Sequence, residues 1–179
     1  MRTAAPLLML LAALAGCAIA PVPQPGDGVS AVDRKYGAPT HILAQPDGGE
    51  LWQYATQPFG VTFINVHLAA DGTVRAVWDA LADAHRARIV AGMREAEVVA
   101  LLGPRRSIET YALSGESVWD WNISNLGRPG IATRFNVHFR EGRVVRTSMS
   151  YVYPRDGAFF GETGPGIGRG IGFGLSIEP

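Results

Sequence analysis

The chain has 179 residues, and its 16 basic side chains cancel its 16 acidic ones to a formal net charge of zero. That balance leaves no basic footprint for nucleic acid and no polybasic patch for anionic lipid. With one cysteine there can be no intrachain disulfide, so packing must hold the fold.

The chain opens with Arg2 and a short Leu/Ala run over residues 7–14, too short for the roughly 20 apolar residues of a membrane-spanning helix. The run ends in Leu14-Ala15-Gly16-Cys17, which resembles the lipobox of bacterial lipoproteins. The resemblance implies that residues 1–16 are a removed signal peptide and that Cys17 is the lipidation site. Two or three acyl chains then anchor the protein firmly, each buried methylene contributing about 0.8 kcal/mol. The alternative is an ordinary signal peptide cut nearby, with Cys17 an incidental thiol. Ala18 stands where this lipoprotein class carries Asp for inner-membrane retention, which implies an outer-membrane location facing the periplasm. Residues 17–27 include Pro21-Val22-Pro23-Gln24-Pro25-Gly26, an extended linker at about 3 Å per residue rather than a helix.

Self-similarity organises the rest of the chain. In the first half, Val32-Asp33-Arg34-Lys35-Tyr36-Gly37-Ala38-Pro39 precedes Leu51-Trp52-Gln53-Tyr54, Asn65-Val66-His67-Leu68 and Asp71-Gly72-Thr73-Val74. In the second, Val98-Val99-Ala100-Leu101-Leu102-Gly103-Pro104 precedes Val118-Trp119-Asp120-Trp121, Asn136-Val137-His138-Phe139 and Glu141-Gly142-Arg143-Val144. Order is kept at offsets between 66 and 71 residues. Val98, Leu101 and Leu102 form a helical stripe that Gly103 and Pro104 end, as Gly37 and Pro39 do in the first copy. The period then changes to two, and Asp71-Gly72 and Glu141-Gly142 read as tight hairpin turns. Each unit is therefore expected to be a helix followed by an antiparallel meander of three or four strands, an α+β tandem. The first unit spans residues 28–78 and the second 79–153. Residues 79–90, rich in Ala and Arg and without breakers, predict an additional helix opening the second unit. Residues 154–179 form a Gly-rich tail, flexible or docked through Ile167, Ile171 and Phe173.

Gly92-Met93, the helix end from Val98 to Pro104, the strand Trp119 to Trp121 and the hairpin Val137 to Val144 resemble the SmpA/OmlA, or BamE-like, outer-membrane lipoproteins. A weaker copy runs from Gly26 through Val74. Two such units in tandem resemble the fold of the β-lactamase-inhibitor proteins. The chain departs from the family at Arg94, where a Ser or Thr cap of about 1 kcal/mol is usual, and at Trp121, where Tyr is usual. The resemblance implies a non-catalytic module, bound to the membrane through its lipid, that binds or scaffolds an envelope protein, as in outer-membrane protein assembly. The alternatives are an inhibitor of a periplasmic or secreted enzyme and a structural link between membrane and cell wall.

The residues themselves offer no catalytic constellation, no cofactor motif, no metal site and no small-molecule substrate. His67 and His138 recur as a pair, each two residues after Asn65 or Asn136, and alternation turns all four away from the apolar strand faces. A metal at the histidines lacks a recurring acidic neighbour in sequence. The remaining readings are a solvated sheet face and a partner-binding face. Trp52, Trp119 and Trp121 are candidate anchors on that face or core aromatics, alternatives that burial distinguishes.

Overall fold

The computed structural model describes residues 20–127 and 130–153. The expected signal peptide, Cys17 and the Gly-rich tail lie outside these residues. Among the described residues no helix is long and apolar enough to cross a membrane.

Helix α1 (Val29–Tyr36) is followed by strands β1 (His41–Ala44), β2 (Glu50–Ala55), β3 (Phe63–Leu68) and β4 (Val74–Asp79). After helices α2 (Asp83–Arg86) and α3 (Glu95–Leu102) come β5 (Ser107–Tyr111), β6 (Glu116–Ile123), β7 (Ala132–Arg140) and β8 (Arg143–Val152). The strands form two four-stranded antiparallel sheets, ordered β1-β2-β3-β4 and β5-β6-β7-β8.

The expected α+β class is corrected by this content. The described chain is mostly antiparallel sheet, and its three helices have only eight, four and eight residues. The glycines set that brevity. Gly37 and Gly103 both adopt φ 71° immediately after α1 and α3, and each donates its N–H to the helix at 2.9 Å, closing the last turn before the prolines block continuation. The expected helix over residues 79–90 is corrected too. Asp79 closes β4, and its carboxylate accepts the backbone N–H groups of Phe63 and Leu81, both at 2.9 Å. Ala80 N–H also pairs with Phe63 O at 2.9 Å. This corner consumes the first turn of the expected helix, and helix propensity alone is too weak to override it.

The two units repeat in detail. The segment before each helix pairs with the start of the last strand: Gly26 N–H bonds Val74 O at 2.9 Å, and Gly92 N–H bonds Val144 O at 2.8 Å. The last hairpin of each unit, β3–β4 and β7–β8, carries a register shift at the same place, between His67 and Leu68 and between His138 and Phe139. One face of the first sheet buries Tyr54, Val66, Leu68 and Val74 with Val32 of α1. Their counterparts Trp121, Val137, Phe139 and Val144 pack with Val98 of α3. Such fully buried aliphatic side chains contribute about 1.5–3 kcal/mol each. At Arg94 the cap is one-sided. Glu97 accepts the Arg94 backbone N–H at 2.6 Å, while the guanidinium has no acceptor to offer in return.

The units are joined through Phe63. It leaves the first sheet on the face opposite α1 and enters the core of the second unit with Leu102, Trp121 and Phe135. Gln57 adds a two-way bridge from the β2–β3 loop. Its Nε2 donates to Asn122 O at 2.8 Å and its Oε1 accepts Asn122 N–H at 3.2 Å.

Candidate interaction surface

Each helix covers one face of its sheet. On the second sheet the strand alternation leaves the other face to polar side chains, whereas on the first sheet Ala55, Phe63 and Trp78 of that face pack into the core of the second unit, and its open part is the end around His67. On the second sheet that face carries Glu116, Val118 and Asp120 of β6 opposite His138 and Asn136 of β7, which in turn oppose Arg146 and Ser148 of β8. His138 Nδ1 lies 3.2 Å from Glu116 Oε2, and its Nε2 lies 2.9 Å from Ser148 Oγ and 3.1 Å from Arg146. The neutral tautomer with its proton on Nδ1 satisfies all three contacts, a proton position inferred from the network. Arg146 also donates to Glu116 at 2.8 Å, and Arg140 stands 3.6 Å from the same carboxylate.

Burial, then the Arg146 charge, holds the His138 imidazole below its ordinary value, against the raising pull of Glu116. Burial pushes the Glu116 carboxyl up, but the hydrogen bonds from His138 and Arg146 outweigh it and the carboxyl lies below its ordinary value.

The first sheet holds the same trio. Asp47, in the β1–β2 turn, has its Oδ2 3.2 Å from His67 Nε2 and 3.4 Å from Arg75. The His67 separation is that of an ion pair, but the His67 Nε2 atom makes no aligned hydrogen bond among the described residues. The Gly49 backbone N–H is the main cause of the lowered Asp47 carboxyl. Burial opposes it, and His67 and Arg75 reinforce it. Carboxylate, histidine and arginine thus recur in both units, each beside the register shift, a device that re-aims side chains.

The remaining candidates separate. Asn65 is 3% exposed, its Oδ1 accepting from Gln53 at 2.9 Å and its Nδ2 donating to Phe63 O at 3.2 Å, so it braces the sheet from within. Asn136 reaches Ser148 and Ser150 of β8 at 3.4 and 3.2 Å. Trp119 and Trp121 are 6% and 0% exposed and belong to the core under α3. The Trp121 ring N–H bonds Gly103 O at 3.3 Å, and Arg105 lies 4.1 Å over the Trp119 ring. Trp52 is half-buried against the first core, its ring N–H on Glu50 at 2.7 Å.

Sequence reasoning missed Asp47, Arg75, Glu116 and Arg146. The histidines repeat at an offset of 71 residues and so do the arginines, whereas the carboxylates repeat at 69. The shorter offset, and the position of Asp47 in a turn, hide them from a search beside each histidine. It also missed the buried carboxylate of Asp120, held by Arg106 and Ser107. Among the described residues no group of three His, Cys, Asp or Glu is placed to hold a metal ion.

Fold and faces together define a tandem of two helix-backed antiparallel meanders with a duplicated polar cluster. No family model matches the chain, and no curated protein matches it. Among solved structures it is similar to a "putative beta-lactamase inhibitor protein" from Streptococcus mutans. The two are 14% identical, with 70% of this chain and 83% of that one covered at a TM-score of 0.31. It is also similar to an extracellular protein containing an SCP domain from Bacillus anthracis str. Ames, at 13% identity, with 73% of this chain covered and a TM-score of 0.29. The chain spans half the length of that second protein.

Proposed function

We propose that this chain is a lipid-anchored, non-catalytic lipoprotein of the outer membrane that binds another envelope protein through the open polar face of its second sheet and the open end, around His67, of the matching face of its first. The observation that carries this reading is the duplicated cluster of Asp47, His67 and Arg75 and of Glu116, His138 and Arg146. Both arginines are about half-exposed, at 53% of their side-chain surface, so each cluster offers a partner charged hydrogen-bond donors held in a fixed place. Ser148, His138 and Glu116 follow the order of hydroxyl, imidazole and carboxylate used in acyl transfer. However, Arg146 shares Nε2 with Ser148, and neither the groove beside Trp52 nor the one beside Phe135 is bordered by Ser148 or His138. The trio is therefore read as a binding element. The lipobox at Cys17 and the BamE-like motifs support the envelope location.

The test is detergent purification of the full-length lipoprotein from intact envelopes, comparing the wild type with the Arg75→Glu/Arg146→Glu variant. The expected result is one reproducible protein partner that the charge reversals remove. A partner retained at full yield by the variant refutes the role of the clusters, and recovery of no partner refutes the binding function.

A second reading, inhibition of a periplasmic or secreted enzyme, is favoured by Phe59. Its ring is 96% exposed at the tip of the β2–β3 loop, and the loop is braced by the Gln57 bridge and by Asn122 donating to Pro58 O at 2.7 Å. An exposed aromatic on a held loop suits insertion into an apolar pocket. Phe59→Ala weakens partner binding by tenfold or more under this reading and by less than threefold under the first.

A further inference from the structure

The second sheet has an edge whose chemistry matches a segment of the chain outside the described residues. The first residues of β8 are occupied: Val144 N–H bonds Met93 O at 2.8 Å, and Arg143 bridges Arg94. From Val145 to Ser150 the strand has β7 on one side and no further strand among the described residues. The stretch opens on the bulge at Val145 and the charge of Arg146, but from Thr147 to Ser150 it holds no charge, no proline and no register shift. Proteins usually interrupt an open edge with charge, proline or a bulge, because its backbone N–H and C=O groups template another strand. Beside this edge, on the helix-covered face, runs a groove bordered by Arg86, Ala87, Ile89, Phe135, Thr147 and Met149. Phe135 and Ile89 are buried in it, while Met149 remains 41% exposed.

Residues 167–177 alternate with period two. Ile167, Arg169, Ile171, Phe173, Leu175 and Ile177 fall on one face, and Gly168, Gly170, Gly172, Gly174 and Ser176 on the other. We propose that this segment adds to β8 as a fifth, antiparallel strand of the second sheet, seating its apolar face in the groove beside Phe135 and Met149. The 13 residues 154–166 exceed what a hairpin return requires. On the groove side the one charged residue of the segment, Arg169, lies toward the rim carboxylate of Asp83, which pairs with Arg86 on one oxygen and is 96% exposed. On the other side the glycines continue the open face past Arg146, Ser148 and Ser150 without side chains, so the polar cluster stays accessible to a partner. The glycines also weaken the strand by raising the entropy lost on ordering, so the groove contacts of Ile171, Phe173 and Leu175 must hold it.

Cysteine pairs in the full-length protein test the placement, since acylated Cys17 supplies no competing thiol. One cysteine replaces exposed Thr147 on the groove face. The other is scanned through Ile171, Gly172, Phe173, Gly174 and Leu175, each as a separate double variant, in the oxidising periplasm. The expected result is an intramolecular disulfide with one or two of Ile171→Cys, Phe173→Cys and Leu175→Cys, and at least tenfold less with Gly172→Cys and Gly174→Cys. Disulfide-linked dimers would show that a second copy occupies the edge. Equal oxidation at all five positions, or none at any, would show that the segment does not lie on it. Each of these three results overturns the proposal. As a second measurement without cysteine, Ile171→Asp/Phe173→Asp is expected to speed amide exchange between Val145 and Ser150 by tenfold or more, and unchanged exchange contradicts the added strand.

Discussion

His138 Nδ1 and Glu116 Oε2 stand 3.2 Å apart across neighbouring strands, and the duplicated unit sets His67 Nε2 at the same 3.2 Å from Asp47 Oδ2. The two trios differ in environment. In the second unit the histidine and carboxylate side chains are 10% and 13% exposed, against 27% and 34% in the first. Coulombic and hydrogen-bond effects strengthen as solvent withdraws, so the second trio should dominate both pH response and local rigidity.

The His138 imidazole titrates below its ordinary value of 6.5 in the folded protein. The unfolded chain therefore binds a proton first as pH falls, and stability declines from about pH 6.5 down to the folded value. Above that window the group contributes no pH dependence. The Glu116 carboxyl, also lowered, adds a second loss below its ordinary 4.5. Urea midpoints are expected to fall between pH 7.5 and pH 5.5 in the wild type and to change less in His138→Gln. An equal slope in both proteins would place the titration elsewhere.

Gly37 and Gly103 share φ 71°, with ψ in the extended region that only glycine adopts freely, but their surroundings differ. A Cβ on Gly37 meets nothing within 4 Å, whereas one on Gly103 falls into the Phe63 ring. Gly37→Ala is expected to cost about 1–3 kcal/mol from backbone strain alone. Gly103→Ala adds roughly 1–3 kcal/mol for overpacking at the contact between units. Chemical denaturation of both variants gives the difference directly, and equal losses would mean that Phe63 does not press on Gly103.

Leu102 is 0% exposed in the core that both units share. Leu102→Ala is expected to lose about 2–5 kcal/mol, while Val99→Ala, at a position 37% exposed on the same helix, should lose under about 1 kcal/mol. Thermal unfolding with matched denaturant data distinguishes them. Comparable losses would contradict the orientation of α3.

Much of the repeat was legible in the sequence because it is written in short-range patterns. Gly37 and Gly103 end helices through their own backbone preference, and alternation along Trp119-Asp120-Trp121 puts both tryptophans on one face and Asp120 on the other, while burial decides that the tryptophan face is the core. The class was misjudged because a stripe such as Val98, Leu101 and Leu102 states where a helix lies, not how short it is beside the strands it covers. Residues 79–90 misled for a related reason. The tie from Asp79 to Phe63 spans 16 residues, and no local propensity reports it. The polar clusters were half legible. Alternation placed His67 and His138 opposite the apolar strand faces, but Asp47 and Arg75, like Glu116 and Arg146, reach them from neighbouring strands and turns, and only register brings those together.

Membrane attachment is tested at one residue. Cys17→Ala is expected to abolish palmitate labelling and either release the domain or leave an uncleaved precursor. Labelling at the wild-type level would defeat the assignment of the lipobox.

The central claim is that the uncovered sheet faces, and not the helices, meet the partner. A photo-reactive phenylalanine analogue at Ser150 or Ala76, beside the clusters on the same faces, samples the open surfaces, and the same group at Val99 samples the helix side. Irradiation of intact cells should give one shared protein adduct at positions 76 and 150 and none at 99. Adducts confined to position 99, or none at the open-face positions, would contradict the account.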